Sequence, residues 1–284
     1  MLPNAYMIIV PDWTRLDVRP VTCDIRSHLE ICVTDEEFIS IEPWPIPELV
    51  GQLVAQAALG RRALIETDEA SDAFERETDR FELEAWARLE LSPWLTPEEF
   101  RYLETTVGNL REDTLALCEQ RLMVASTIGW ALGLTGLPHL PAISDGSSEI
   151  AVLEWAPTPW SPVRGVMKGV RLRSDEALAT ERERWDILYW RSTLFGDPDY
   201  LESDRSAWRE ALVEILAADL WPVRDDDLLV NDDMTYGQAA EADPLSLQDA
   251  AEIRLRALNW VCGYGERPTT APLDLDEIAP TESR

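Results

Sequence analysis

Apolar residues repeat along this chain with two different periods, and the change falls near residue 48. Before it, Leu29-Glu-Ile-Cys-Val-Thr and Phe38-Ile-Ser-Ile-Glu alternate over short β-branched runs on either side of the acidic turn Asp35-Glu36-Glu37, as in a hairpin. Tyr6 to Val10 and Val18 to Asp24 have the length and composition of one or two further strands. The cluster Pro43-Trp-Pro-Ile-Pro47 interrupts regular structure and marks a boundary. The pattern therefore predicts a small β-rich segment over residues 1–45 and a helical domain over 46–265. An acidic, Pro-containing tail, loosely held, is expected over 266–284.

Within the helical part, residues 48–66 place Leu49, Leu53, Ala57 and Leu64 on one side, and Asp68 to Leu91 places Phe74, Phe81, Ala85 and Leu89 along another apolar stripe. In that second helix Asp72, Arg76, Arg80, Glu84 and Arg88 recur every four residues, the mark of a solvated face with ion pairs. Thr96-Pro97-Glu98-Glu99 combines a cap residue, Pro at the first helical position and Glu three after the cap, so a short helix begins there. A longer helix is predicted from Leu110 to Leu134, with Leu115, Cys118, Leu122, Ala125 and Leu132 inward and Gly136 as terminator. Its second half is apolar almost all round and holds Gly129-x-x-x-Gly133. The run is too short to cross a bilayer, so it reads as a central helix buried on most sides, with the glycines allowing close approach. Residues 137–173 read as a long irregular connection packed down by Trp155 and Trp160. Helices then follow over Ser174 to Leu194, Asp204 to Leu220 and Ser246 to Cys262, with an acidic loop over 221–244. The fold class expected is mainly α, with the short β-rich N-terminal segment making it α+β overall.

Charge changes the picture of partners more than of fold. The 25 basic and 54 acidic residues give a formal net charge of −29. A chain this acidic repels phosphate, so direct nucleic-acid binding and attachment to anionic membranes are not expected. It attracts basic surfaces and speeds their association. Arginine heavily outnumbers lysine, with Lys168 the only lysine, and the surplus acid reads first as a solubility or salt-adaptation feature. The start has no basic leader and only a short apolar run, which predicts a cytoplasmic protein. Cys23, Cys32, Cys118 and Cys262 are scattered without C-x-x-C spacing and read as free thiols, mostly buried.

Few residues offer chemistry. His28 and His139 stand apart from each other and from cysteines, and no nucleophile elbow or Gly-rich phosphate loop is present. No cofactor, metal site or catalytic residue is expected. Asp225, Asp226 and Asp227 lack the calcium-loop pattern and read as a solvated acidic loop, and as candidates for an acidic binding face. Glu181, Glu183 and Asp186 lie within two turns of one helix, where exposed ion pairing with Arg182 or Arg184 competes with acid–base chemistry. Trp130, Trp185, Trp190, Trp208 and Trp260 are first of all core residues. Trp190, Asn259 and Trp260 are also candidates to line a small-ligand pocket between helices.

Three segments carry a resemblance. Leu95-Thr-Pro-Glu-Glu-Phe leads to Arg121-Leu-Met-Val-Ala-Ser-Thr-Ile-Gly-Trp-Ala-Leu-Gly-Leu. Arg171-Leu-Arg-Ser-Asp-Glu follows through Asp186-Ile-Leu-Tyr-Trp-Arg191, and then Arg254-Leu-Arg-Ala-Leu-Asn-Trp260. In this order they resemble the domain of unknown function catalogued as DUF 4272, over roughly residues 48–265. The chain departs from the family at Met123, where the family carries an acidic residue two places after the central arginine. The resemblance implies a helical bacterial domain and brings no known reaction. Together these readings lead to an acidic, mainly helical interaction protein that binds a basic protein partner, as a neutraliser of a basic effector or toxin would. The alternatives are an enzyme or small-ligand binder with an interhelical pocket, and a nucleic-acid mimic.

Overall fold

The computed structural model describes residues 40–136, 150–196, 202–230, 234–242 and 244–275; the β-rich N-terminal expectation, both histidines, Cys23 and Cys32 lie outside them. Among the described residues the protein is mainly helical. Its α-helices are α1 (Ile46–Thr67), α2 (Ala73–Glu90), α3 (Pro97–Glu104), α4 (Glu112–Ala131), α5 (Asp175–Gly196), α6 (Glu202–Ala217), α7 (Tyr236–Ala242) and α8 (Pro244–Val261). Two short strands, β1 (Val223–Arg224) and β2 (Asp227–Leu228), pair antiparallel in the register Val223↔Leu228 and Arg224↔Asp227. The helices pack in sequence across the core: α2 and α3 lie on α1, α1 on α4, α4 on α8, and α8 on α5.

The central position belongs to α1 and to the second half of α4. Every residue of α1 from Leu49 to Gly60 is buried, including Gln52 and Gln56, so the one-sided stripe expected there understates its enclosure. Its first turn starts at the predicted Pro cluster, where Pro47 occupies a position whose N–H has no intrahelical partner. At Gly60 a Cβ would stand 2.2 Å from Leu122 Cδ2, so the missing side chain is what allows α4 to approach. From Val124 to Leu132, α4 is enclosed as the sequence predicted. It ends earlier than expected: Gly133, at φ +69°, takes the left-handed position just past the helix, and not Gly136.

The capping box of α3 forms as read, with Thr96 Oγ1 accepting from Glu99 N and Glu99 Oε2 accepting from Thr96 N. A second box, Asp72 with Glu75, opens α2. The face of α2, however, is reversed. Leu83, Trp86, Ala87 and Arg80 are buried, whereas the predicted stripe of Phe74, Phe81 and Leu89 is 80, 60 and 74% exposed. Trp86 wins because it fills the core and its Nε1 donates to Ser161 O. Arg80 follows it inward, satisfied by Glu77, Glu84 and the Leu103 carbonyl.

The connection before α5 is held differently from the expectation. Trp155 and Trp160 are both more than half exposed, and Val152, Ala156 and Val163 are the buried anchors. Arg61 reaches across to donate to the carbonyls of Leu153, Ala156 and Pro157. In α6, Trp208, Leu212 and Ile215 are inward as read, while Leu216 faces out. The acidic loop expected over 221–244 is instead a hairpin followed by α7. Its turn places Asp225 and Asp226 at φ +54° and +59°, as a two-residue hairpin of matching twist requires. Beyond Glu266 the chain stays packed as far as Leu275, with Ala271 fully buried, in place of the loose tail expected from Glu266; residues 276–284 lie outside the described residues.

Candidate functional site

The six sequence candidates fall into three places. Trp190, on α5, lies edgewise to Trp208 of α6, with ring centroids 5.1 Å apart at 60°. Its neighbour Arg191 carries the electrostatics of this region. Arg191 Nε donates to Asp227 Oδ1 at 2.8 Å and its Nη2 to Oδ2 at 3.1 Å, a bidentate pair. Asp227 also accepts from Leu228 N and, at 2.7 Å, from Gly237 N in the first turn of α7. The guanidinium stands over both Trp208 and Tyr236, at 5.4 and 5.0 Å from their ring centres. Burial raises the Tyr236 hydroxyl to about 12, so it stays protonated.

Asp227 is therefore no member of a solvated acidic loop. It is a buried carboxylate that joins α5, the hairpin and α7. Asp225 and Asp226 point outward from the turn, and only Asp226 contributes inward, through its carbonyl, which accepts from Trp208 Nε1. The sequence placed three like residues together, and the register of the hairpin separates them.

Asn259 and Trp260, on α8, are both fully buried. Asn259 Oδ1 accepts from Arg182 Nε at 2.7 Å, and its Nδ2 donates to Pro272 O at 2.7 Å and more weakly to Leu273 O. Arg256 adds a bond to Ala271 O. These contacts hold the segment after Glu266 against the domain. Trp260 stacks on Trp44 at 6.1 Å and 21°, just where Glu42 N donates to Cys262 O. Trp44 and the segment from Ala271 to Leu273 thus enclose this end of α8.

Sequence reasoning missed the partners. Arg182 on α5 and Arg254 on α8 are buried, the latter donating to Ser126 and Thr127 of α4 and standing over Trp185. Glu181 is also buried, accepting from Trp185 Nε1 and Arg184. Glu99 binds Arg267 at 2.8 Å and lies 3.8 Å from Arg121. The motif spacing of Arg254-Leu-Arg-Ala-Leu-Asn-Trp held a clue: residues 254, 258 and 261 line one face, so an arginine opens an apolar row.

Chemical reactivity is damped across these places. Burial pushes the Cys118 thiol up to about 11 and that of Cys262 to about 12, which leaves neither as a thiolate. Among the described residues Glu183 moves toward neutrality: burial first, then Asp186, raises its carboxyl to about 7 against the pull of Arg182. Among the described residues no group of three His, Cys, Asp or Glu is placed to hold a metal ion. No described helix is long and apolar enough to cross a membrane. The chain matches no family model, no curated protein and no solved structure.

Proposed function

We propose that this chain is an acidic, mainly helical interaction protein that binds a partner protein of basic surface, as a neutraliser of a basic effector would. The observation that carries the reading is the destination of the arginines. Arg61 donates to three backbone carbonyls and Arg173 to those of Trp130 and Thr135, while Arg256 and Arg267 divide their donors between a carbonyl and a carboxylate, Ala271 O with Glu252 and Trp94 O with Glu99. A guanidinium donor engaged by a carbonyl neutralises no carboxylate. The excess acid is thus carried outward, on exposed side chains such as Glu69, Asp79, Glu82, Asp225 and Asp226, where it steers cationic surfaces.

Kinship to DUF 4272 belongs to the same proposal. It rests on the order of its three segments along the chain, of which the first and third meet through Arg254 with Ser126 and Thr127 and the second and third through Arg182 with Asn259. The free, buried Cys118 and Cys262 fit a reducing compartment, which favours the cytoplasm. A small-ligand reading has less support, because the bonds of Asn259 are taken internally.

Affinity capture in the native host tests the reading, with an unrelated chain of equal net charge as control. A basic protein retained near stoichiometry by this chain alone, and released as salt rises from about 50 mM, is the expected result. Identical retention on the control would leave the acidity as a solubility feature.

A further inference from the structure

The exposed side of α2 is the least explained surface of the molecule. Phe74, Phe81 and Leu89 project from it, and Thr78 and Ala85 fall between them in the row 74, 78, 81, 85, 89. Steps of four and three residues keep such a row on one side of a helix, so large side chains alternate with gaps over about four turns, roughly 22 Å. That is the relief into which a second helix lays its own side chains. Three large apolar side chains this exposed make a patch on the order of 400 Å², the size at which exposed patches mark binding sites.

Charge selects the occupant. Glu75, Asp79 and Glu82 form an exposed rim along one side of the row. Of the arginines of α2, Arg76 is held by Glu66 O, Arg80 is buried in its carboxylate pair, and Arg88 is engaged by Glu84 and Glu104. A second copy would set another six carboxylates and three arginines of α2 against these. The chain's own segments outside the described residues are also net acidic: residues 1–39 carry seven carboxylates and three arginines, and residues 137–149 carry Asp145 and Glu149 with no lysine or arginine. We propose that the Phe74–Phe81–Leu89 face of α2 docks a cationic amphipathic helix of the partner, apolar side inward and basic residues on the carboxylate rim. This rests on the interaction reading above and locates it.

The test uses the full chain and three fluorescent peptides of about 16 residues. One has leucine along a helical seam and lysine elsewhere, one replaces its leucines by serine, and one replaces its lysines by glutamate. The first should bind at least about tenfold more tightly than either other, by anisotropy at low salt. The triple variant Phe74→Ser, Phe81→Ser, Leu89→Ser should lose about tenfold or more of that binding with an unchanged melting curve, whereas Val213→Ser with Leu216→Ser on α6 should retain it. Equal binding by parent and triple variant would overturn the site and leave the interaction reading standing. No preference for the lysine peptide over the glutamate one would overturn both. A dimer that the triple variant dissociates would assign the face to a second copy. A Thr78→Cys thiol shielded from maleimide in the unbound protein would assign it to the chain itself. Either result rejects a partner helix.

Discussion

Helices α1 and α2 are neighbours in sequence and in space, yet they treat polarity in opposite ways. In α1 the polar Gln52, Gln56 and Arg62 are buried, with Arg62 Nη1 donating to Glu66 and Nη2 to Thr105 O. In α2 the apolar Phe74, Phe81 and Leu89 are exposed, and Arg80 is inside. The difference lies in what surrounds each helix. α1 is packed by α2, α3 and α4, so position alone buries every side chain from Leu49 to Gly60, and there Gln56 Nε2 donates to Gln52 Oε1. Among the described residues α2 meets α1 and α3 on the side of Leu83 and Trp86, and a helix covered on one side buries one face.

Three experiments would break or sharpen that contrast, and the largest effect is expected within α2 itself. Trp86→Ala should cost about 3 to 5 kcal/mol, since it empties a core site and orphans Ser161 O. Phe81→Ala on the opposite side should stay within about 0.5 kcal/mol. Chemical denaturation decides, and equal losses would mean that the outer face is covered in the free protein.

The hairpin repeats the contrast on a smaller scale. Asp227→Ala should destabilise by about 2 to 4 kcal/mol by leaving Arg191 without its carboxylate, discounted for the residual exposure of the pair. Asp226→Gly should instead stabilise by a few tenths to about 1 kcal/mol, because φ +59° suits glycine better than aspartate. Thermal melts of the two variants should therefore move in opposite directions. A shared direction would sink the assignment of Asp227 as the inward member.

Glu183 offers the subtlest test of polarity placed inside. Its folded pKa, about 7, lies above the ordinary value of 4.5. Stability is then fully present below about 4.5 and is lost as pH rises through about 7, because only the folded state resists ionisation. Glu183→Gln should melt close to the parent near pH 5 and several degrees above it near pH 8, a difference of up to about 3 kcal/mol. A melting difference independent of pH would mean that water reaches the carboxylate.

Local signals in the sequence translated well wherever the physics is local. The Thr96-Pro97-Glu98-Glu99 box, the Pro cluster ahead of α1 and the enclosed half of α4 each depend on neighbours within a few residues. Phe74, Phe81 and Leu89 misled because two rows on α2 are both partly apolar, and helical period cannot say which one meets α1. Of the site candidates, Trp260 was legible as a core residue, whereas Asn259 was read as a pocket candidate, and the bond from Arg182 that engages it spans 77 residues and has no local trace.

The sequence by itself determined that this protein is mainly helical and strongly acidic, because composition, capping and apolar period act at short range. Tertiary packing alone decided that arginines bind carbonyls inside, that Asp227 is a buried anchor beside two exposed aspartates, and that α2 turns three large apolar residues outward. Those outcomes depend on which surfaces meet, and burial is a property of the pair in contact and not of either residue alone.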